Sequence, residues 1–180
     1  MLENLIKLFE YYKSLGERTF AQLDDDEIHL EPAENANSIA IIVKHLWGNM
    51  QSRWTNFLSE DGEKDWRNRD DEFESTIRSR REFEEKWNEG WHTLLNTLKS
   101  LSEEDLLKTI YIRNEGHTVI EAIHRQLAHY ASHIGQIVYL GKIIKGQDWQ
   151  TLSIAKGKSK EYNEEKFSKE KKDQFFTDGV

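Results

Sequence analysis

Histidines are the residues of this chain best suited to chemistry. In the segment HYASH, His129 and His133 stand four apart, which on a helix separates them by one turn and about 40° around the axis. Two imidazoles so placed can chelate one ion. Farther back, His45 lies in an apolar-periodic run, with Asn49 one turn beyond it on its own side. The chain has no cysteine, which excludes a disulfide, a thiolate metal site and a cysteine nucleophile. Any metal must therefore take nitrogen and oxygen ligands. Three neutral imidazoles would leave a divalent cation its full charge and an exchangeable position, where a water or thiol has a strongly lowered pKa. The plainer account is that a single helix histidine is as a rule hydrogen-bonded or on the surface, and that an HxxxH pair arises by chance among seven histidines. His29, His92, His117 and His124 lie in loops or off the relevant face and are given no role.

Polar residues beside these histidines are the next candidates. Arg125 or Gln126, one turn before His129, and Gln136, one turn after His133, project to about the same side as the pair. Either group can meet a substrate carboxylate. For Arg125 the competing expectation is a surface ion pair with Glu121, four residues earlier. Asn49 can orient a coordinated water or a histidine ring, or it can be an ordinary solvated helix residue.

The elements that must position these groups are read from periodicity. Leu2, Leu5, Ile6, Phe9, Tyr12 and Leu15 recur at helical spacing and predict a helix running to about Leu23. Ser38 is a good cap for a second helix reaching about Leu58, with its main stripe at Ile39, Ile42, Leu46, Met50 and Phe57. His45 falls outside the centre of that stripe, at the edge of the buried face. Residues 59–78 are too charged to form a core element and read as a long crossover. Ser79 and Glu82 have capping-box spacing ahead of a third helix that stops near Ser102. TIYI and HTV, around a Gly-containing RNEG turn, predict a short β-hairpin. Thr118 and Glu121 then open a fourth helix, which closes at Gly146. Its apolar stripe of Ile123, Leu127, Tyr130, Ile134 and Ile137 lies roughly 100° round from His129 and His133, so these two border the core.

The expected fold class is therefore all-α, with one domain over residues 1–147. Residues 148–180 form a charged tail, lysine-rich over 156–173, that packs on the surface or stays partly mobile. The formal charge of −8 argues against general nucleic-acid binding. No stretch approaches the roughly 20 apolar residues needed to cross a bilayer, and the first segment lacks the apolar centre of a signal peptide, so a cytoplasmic protein with no membrane association is expected.

HLWGNMQSRW at 45–54 and HYASHIGQIVYLGK at 129–142, separated by a long link and a third helix, resemble the two metal motifs of the DinB-like superfamily of small bacterial four-helix proteins. The likeness runs from the first helix through the fourth. SIAKGKS at 153–159 is similar to a segment of an uncharacterised subgroup. The resemblance implies an up-down-down-up four-helix bundle, a metal held by His45, His129 and His133, and a homodimer. Zinc or nickel is the favoured ion, with iron or copper also suited to imidazole ligands. Relatives that use such a metal to activate a low-molecular-weight thiol, bacillithiol among them, imply a metal-dependent S-transferase acting on a small-molecule substrate. With no cysteine in the chain, the thiol would be a co-substrate. The alternatives are a metal-dependent hydrolase, for which no carboxylate stands out as general base, and a non-enzymatic metal-binding or stress-response protein.

Overall fold

Three of the four long helices begin where the sequence supplies a capping side chain. In the computed structural model, which describes residues 1–178, the helices are α1 (Leu2–Phe20), α2 (Ile39–Trp54), α3 (Arg80–Ser100), α4 (Val119–Lys145) and a short α5 (Ser159–Phe167). Ser38 Oγ accepts from the Ile41 amide at 3.3 Å and starts α2. Thr118 and Glu121 form the expected reciprocal box at the start of α4. At α3, Ser79 Oγ accepts from the Glu82 amide at 3.2 Å, but Glu82 reaches back to the amide of Arg78 instead of closing on Ser79. α4 stops at Gly146, whose φ of 53° is a left-handed conformation that favours glycine. α1 and α2 end earlier than their apolar periodicity suggests, at Phe20 and Trp54. Leu23 and Phe57 are buried all the same, from the turns that follow.

Strands β1 (Thr109–Ile112) and β2 (Glu115–Thr118) pair antiparallel, with Ile112 opposite Glu115. The turn between them is Arg113-Asn114, both left-handed at φ 56° and 62°, while Gly116 sits inside β2. Primed two-residue turns match the twist of a hairpin. This one tolerates non-glycine residues because Asp61 accepts from the amides of Arg113 and Asn114, each at 2.8 Å.

The core is closed by one large side chain from each long helix. Phe9 of α1 lies 6.3 Å from Trp54 of α2 and 6.1 Å from Tyr130 of α4, and Trp91 of α3 lies 6.1 Å from Tyr130, all ring centroid to ring centroid. Trp54 Nε1 donates to Tyr130 Oη at 3.0 Å, and that hydroxyl donates to Asn49 Oδ1 at 2.9 Å, which satisfies Trp54 and Tyr130, while Trp91 Nε1 is buried with no acceptor among the described residues. Along α2 and α3, Trp47 meets Glu89, Gln51 meets Thr93 and Trp54 meets Thr97 in ascending order. α2 meets α4 in descending order, His45 opposite His133 and Trp54 opposite Tyr130. α2 is buried almost all round, which corrects the expectation that His45 stands at the edge of an amphipathic face.

The crossover between α2 and α3 also departs from expectation. Lys64, Glu72 and Ile77 are buried within it. Charged residues enter the interior here because they pair with one another, as the site below makes plain. After α4 the chain turns back onto α1: Gln150 N donates to Gln22 Oε1 at 2.8 Å, Arg18 donates to the Leu152 carbonyl at 3.1 Å, and Phe176 packs edge-on to Tyr11. α5 itself has no buried residue. No helix among the described residues is long and apolar enough to cross a membrane.

Candidate metal centre

His45 projects from the middle of α2, and His129 and His133 come from consecutive turns of α4. Their Nε2 atoms converge. His45 Nε2 is 3.3 Å from His129 Nε2, which is 3.1 Å from His133 Nε2. An ion about 2.05 Å from each of two nitrogens at a tetrahedral angle sets them roughly 3.3 Å apart, so both separations suit one shared cation. The rings stand nearly perpendicular to one another, at 68° to 79°, as donors aimed at a common point do.

Their protons fit the same account. His45 Nδ1 is 2.9 Å from Glu72 Oε2, and His133 Nδ1 is 2.8 Å from Gln136 Oε1. A carboxylate and an amide oxygen only accept, so both Nδ1 atoms carry hydrogen and both Nε2 lone pairs point inward. His129 Nε2 holds at most one hydrogen and can satisfy only one of the two lone pairs facing it, whereas a cation satisfies all three. Burial, with His133, His45 and two arginines adding to it, pushes the His129 pKa down to about 3. Burial also lowers His133, against the hydrogen bond it donates to Gln136. Both rings are thus neutral at pH 7, the form that coordinates metal. The donor set fits a divalent cation.

Behind His45 the crossover supplies a charged brace. Glu72 accepts from Arg67 in a bidentate pair, Nε at 2.7 Å and Nη2 at 2.9 Å, while holding His45. Burial alone would raise the Glu72 carboxyl, but hydrogen bonds from His45 and Arg67 hold it below the usual range. Phe73, the next residue, stacks on the His45 ring at 4.8 Å. Gly48, one turn from His45, makes room for this brace, since a Cβ there would come within 2.7 Å of Glu72 Cδ.

The open side of the three rings faces a pocket of about 360 Å³. Asn49 and Gln126 line it; the Asn49 oxygen is taken by Tyr130, and Gln126 Oε1 is buried with no donor among the described residues. Arg125 also lines it and makes no pair with Glu121, which is held in the α4 cap. Gln136 braces His133 and does not line the pocket. Four further arginines line the pocket, at 53, 67, 69 and 113, with the side chains of Arg53 and Arg67 buried, and among the described residues the lining contains no Asp or Glu. His29, His92, His117 and His124 stay outside the cluster.

Glu72, Arg67 and the other crossover and hairpin arginines were not legible from spacing, because they lie on irregular backbone where no period relates them to the histidines. The one local signal was Gly48, an otherwise unfavourable residue inside a helix.

A family model described as "Protein of unknown function (DUF1572)" matches residues 1–158. No curated protein matches the chain.

Proposed function

The chain belongs to the DinB-like family DUF1572, and from that premise we propose that it is a metal-dependent S-transferase, joining a low-molecular-weight thiol such as bacillithiol to a small electrophile. The observation that carries this is a three-imidazole cluster opening onto a pocket whose lining holds no carboxylate. A divalent cation held by His45, His129 and His133 would supply Lewis acidity that brings the pKa of a thiol toward neutrality. Hydrolysis at the same centre would gain from a general base placed to take the proton of water, a role a carboxylate commonly fills. Glu72 is committed to His45 and Arg67, so the thiol reading is preferred. In the transfer, the thiol proton passes to solvent, sulfur bonds to the electrophilic carbon, and the leaving group departs with the electron pair of the broken bond. The protein fixes His45 and His133 with Nδ1 as donor, so that their Nε2 lone pairs face His129 and the shared site, and Phe73 and Arg67 line the pocket beside them.

The contact order of the long helices supports an up-down-down-up four-helix bundle as the architecture. Three neutral nitrogen ligands suit zinc or nickel, and iron or copper also. A thiol co-substrate fits a cytoplasmic location, where thiols are kept reduced. Tyr139 and Ile143, 65% and 51% exposed on the outer face of α4, support a homodimer.

Purified, metal-replete protein incubated with bacillithiol and 1-chloro-2,4-dinitrobenzene is expected to consume the electrophile faster than the His129→Ala variant does. Equal rates would remove the transferase reading.

A further inference from the structure

The pocket over the histidines is far more basic than the chain as a whole, which is acidic at −8. Of its five arginines, three converge on a single carboxylate. Glu63 lies 3.1 Å from Arg53, 3.2 Å from Arg67 and 3.3 Å from Arg113. Glu72 takes a second share of Arg67. Two carboxylates thus face five guanidinium groups, and a metal cation would add to the excess. Asp61 is bound to the amides of the hairpin turn, and the Glu121 carboxylate accepts from the amide and the hydroxyl of Thr118 in the α4 cap.

Arg69 and Arg125 have no carboxylate within 4 Å among the described residues. Each is nonetheless held at the wall. The Arg69 guanidinium lies over the Phe73 ring, 5.4 Å from its centroid, and Phe73 stacks on His45, which places a positive charge one aromatic layer from the metal ligands. Arg125 stands one turn before His129, with Nη1 3.4 Å from His117 Nε2. Deeper in, the Arg53 side chain is 6% exposed and its Nε is buried without a partner among the described residues. A buried guanidinium N–H left unbonded is costly, and burial pulls the Arg53 pKa down against the opposing pull of Glu63.

We propose that the small molecule acted on at this site carries an acidic group, a carboxylate or a phosphate, and that Arg69 and Arg125 are the specificity-determining residues that bind it. Naming that molecule as a co-substrate rests on the transferase reading; the anion site itself does not. A volume of about 360 Å³ is at the small end for ligand pockets and limits the guest to a metabolite-sized acid. Guanidinium binds both oxyanions in bidentate fashion, and the acidic group anchored at the arginines leaves the other end of the molecule to reach the three histidines.

Two arms of one experiment decide it at low ionic strength, where exposed charges are least screened. In the first, cobalt-substituted protein is titrated with 3-mercaptopropionate and with 3-mercaptopropanol of the same length, following the cobalt absorption bands. The acid is expected to bind at least about tenfold tighter, and the Arg69→Gln, Arg125→Gln double variant to lose that preference while its affinity for the alcohol is unchanged. Equal affinities in the unaltered protein, or a preference that survives in the double variant, would overturn the proposal. In the second arm, metal-free protein labelled at its arginine side chains is titrated with succinate and with inorganic phosphate by NMR. Shifts at Arg69 and Arg125 with one or both anions, absent in the double variant, support the site and tell carboxylate from phosphate; no shift with either anion overturns it. Should cobalt or thiols fail to bind, the transferase reading falls and the second arm still decides the anion site.

Discussion

His45 works through its neighbours, and the neighbour that matters most is a glycine. Glu72 and Arg67 hold the His45 ring with its Nε2 facing the two histidines of α4, and they fit only because residue 48 has no side chain. Gly48→Ala should raise helix propensity on α2 yet push the Glu72 carboxylate off His45. Outer hydrogen bonds of this kind are commonly worth 10- to 100-fold in metal affinity, so competition with a chelator should show zinc bound about tenfold or more weakly in a variant whose circular dichroism is unchanged. Unaltered affinity would mean that the brace is incidental. The His129–His133 spacing was readable because a helix gives it meaning without further context. Glu72 was not, since it lies 27 positions from the ring it holds, beyond the end of α2 in the crossover.

Caps and turns decide where the histidine-bearing helices start, and another cap, ahead of the hairpin, carries a pH response of its own. Ser102 and Asp105 form a reciprocal cap on the turn Glu103–Leu107 that leads into β1. A hydrogen bond from Lys108, followed by those from Ser102, brings the Asp105 carboxyl from 3.8 down to about 2. A carboxyl lower in the folded than in the unfolded state stabilises the fold above its unfolded value, and that contribution disappears as pH falls through the folded value. The thermal midpoint of Asp105→Asn should therefore lie below that of the unaltered protein at pH 6, and the gap should narrow between pH 4 and pH 2. A gap constant down to pH 2 would contradict the assignment. The caps at Ser38 and Thr118 were legible because a capping side chain acts on backbone three residues away. The hairpin was placed correctly but its turn was not: Asp61, 52 residues distant from Arg113, supplies the bonds that let two non-glycine residues take left-handed conformations.

At the scale of the whole molecule, four helices meet at Phe9, Trp54, Trp91 and Tyr130, and this junction sets the separation of α2 from α4 that the histidines require. The Asn49 oxygen is tied into the same junction through Tyr130, so the floor of the pocket is continuous with the core. That the long helices pack around one apolar centre followed from their periodicity. The crossover is different: its charges read as solvent-facing because single residues carry no sign of their partners, and only folding brings Arg67 to Glu72 and Glu63. The account turns on one cation shared by rings from two helices. Elemental analysis of the protein purified without chelator is expected to find about one divalent ion per chain, with the His45→Ala and His133→Ala variants each retaining little of it. An ion content that is the same in all three proteins, or no ion in any of them even after incubation with zinc, would contradict it.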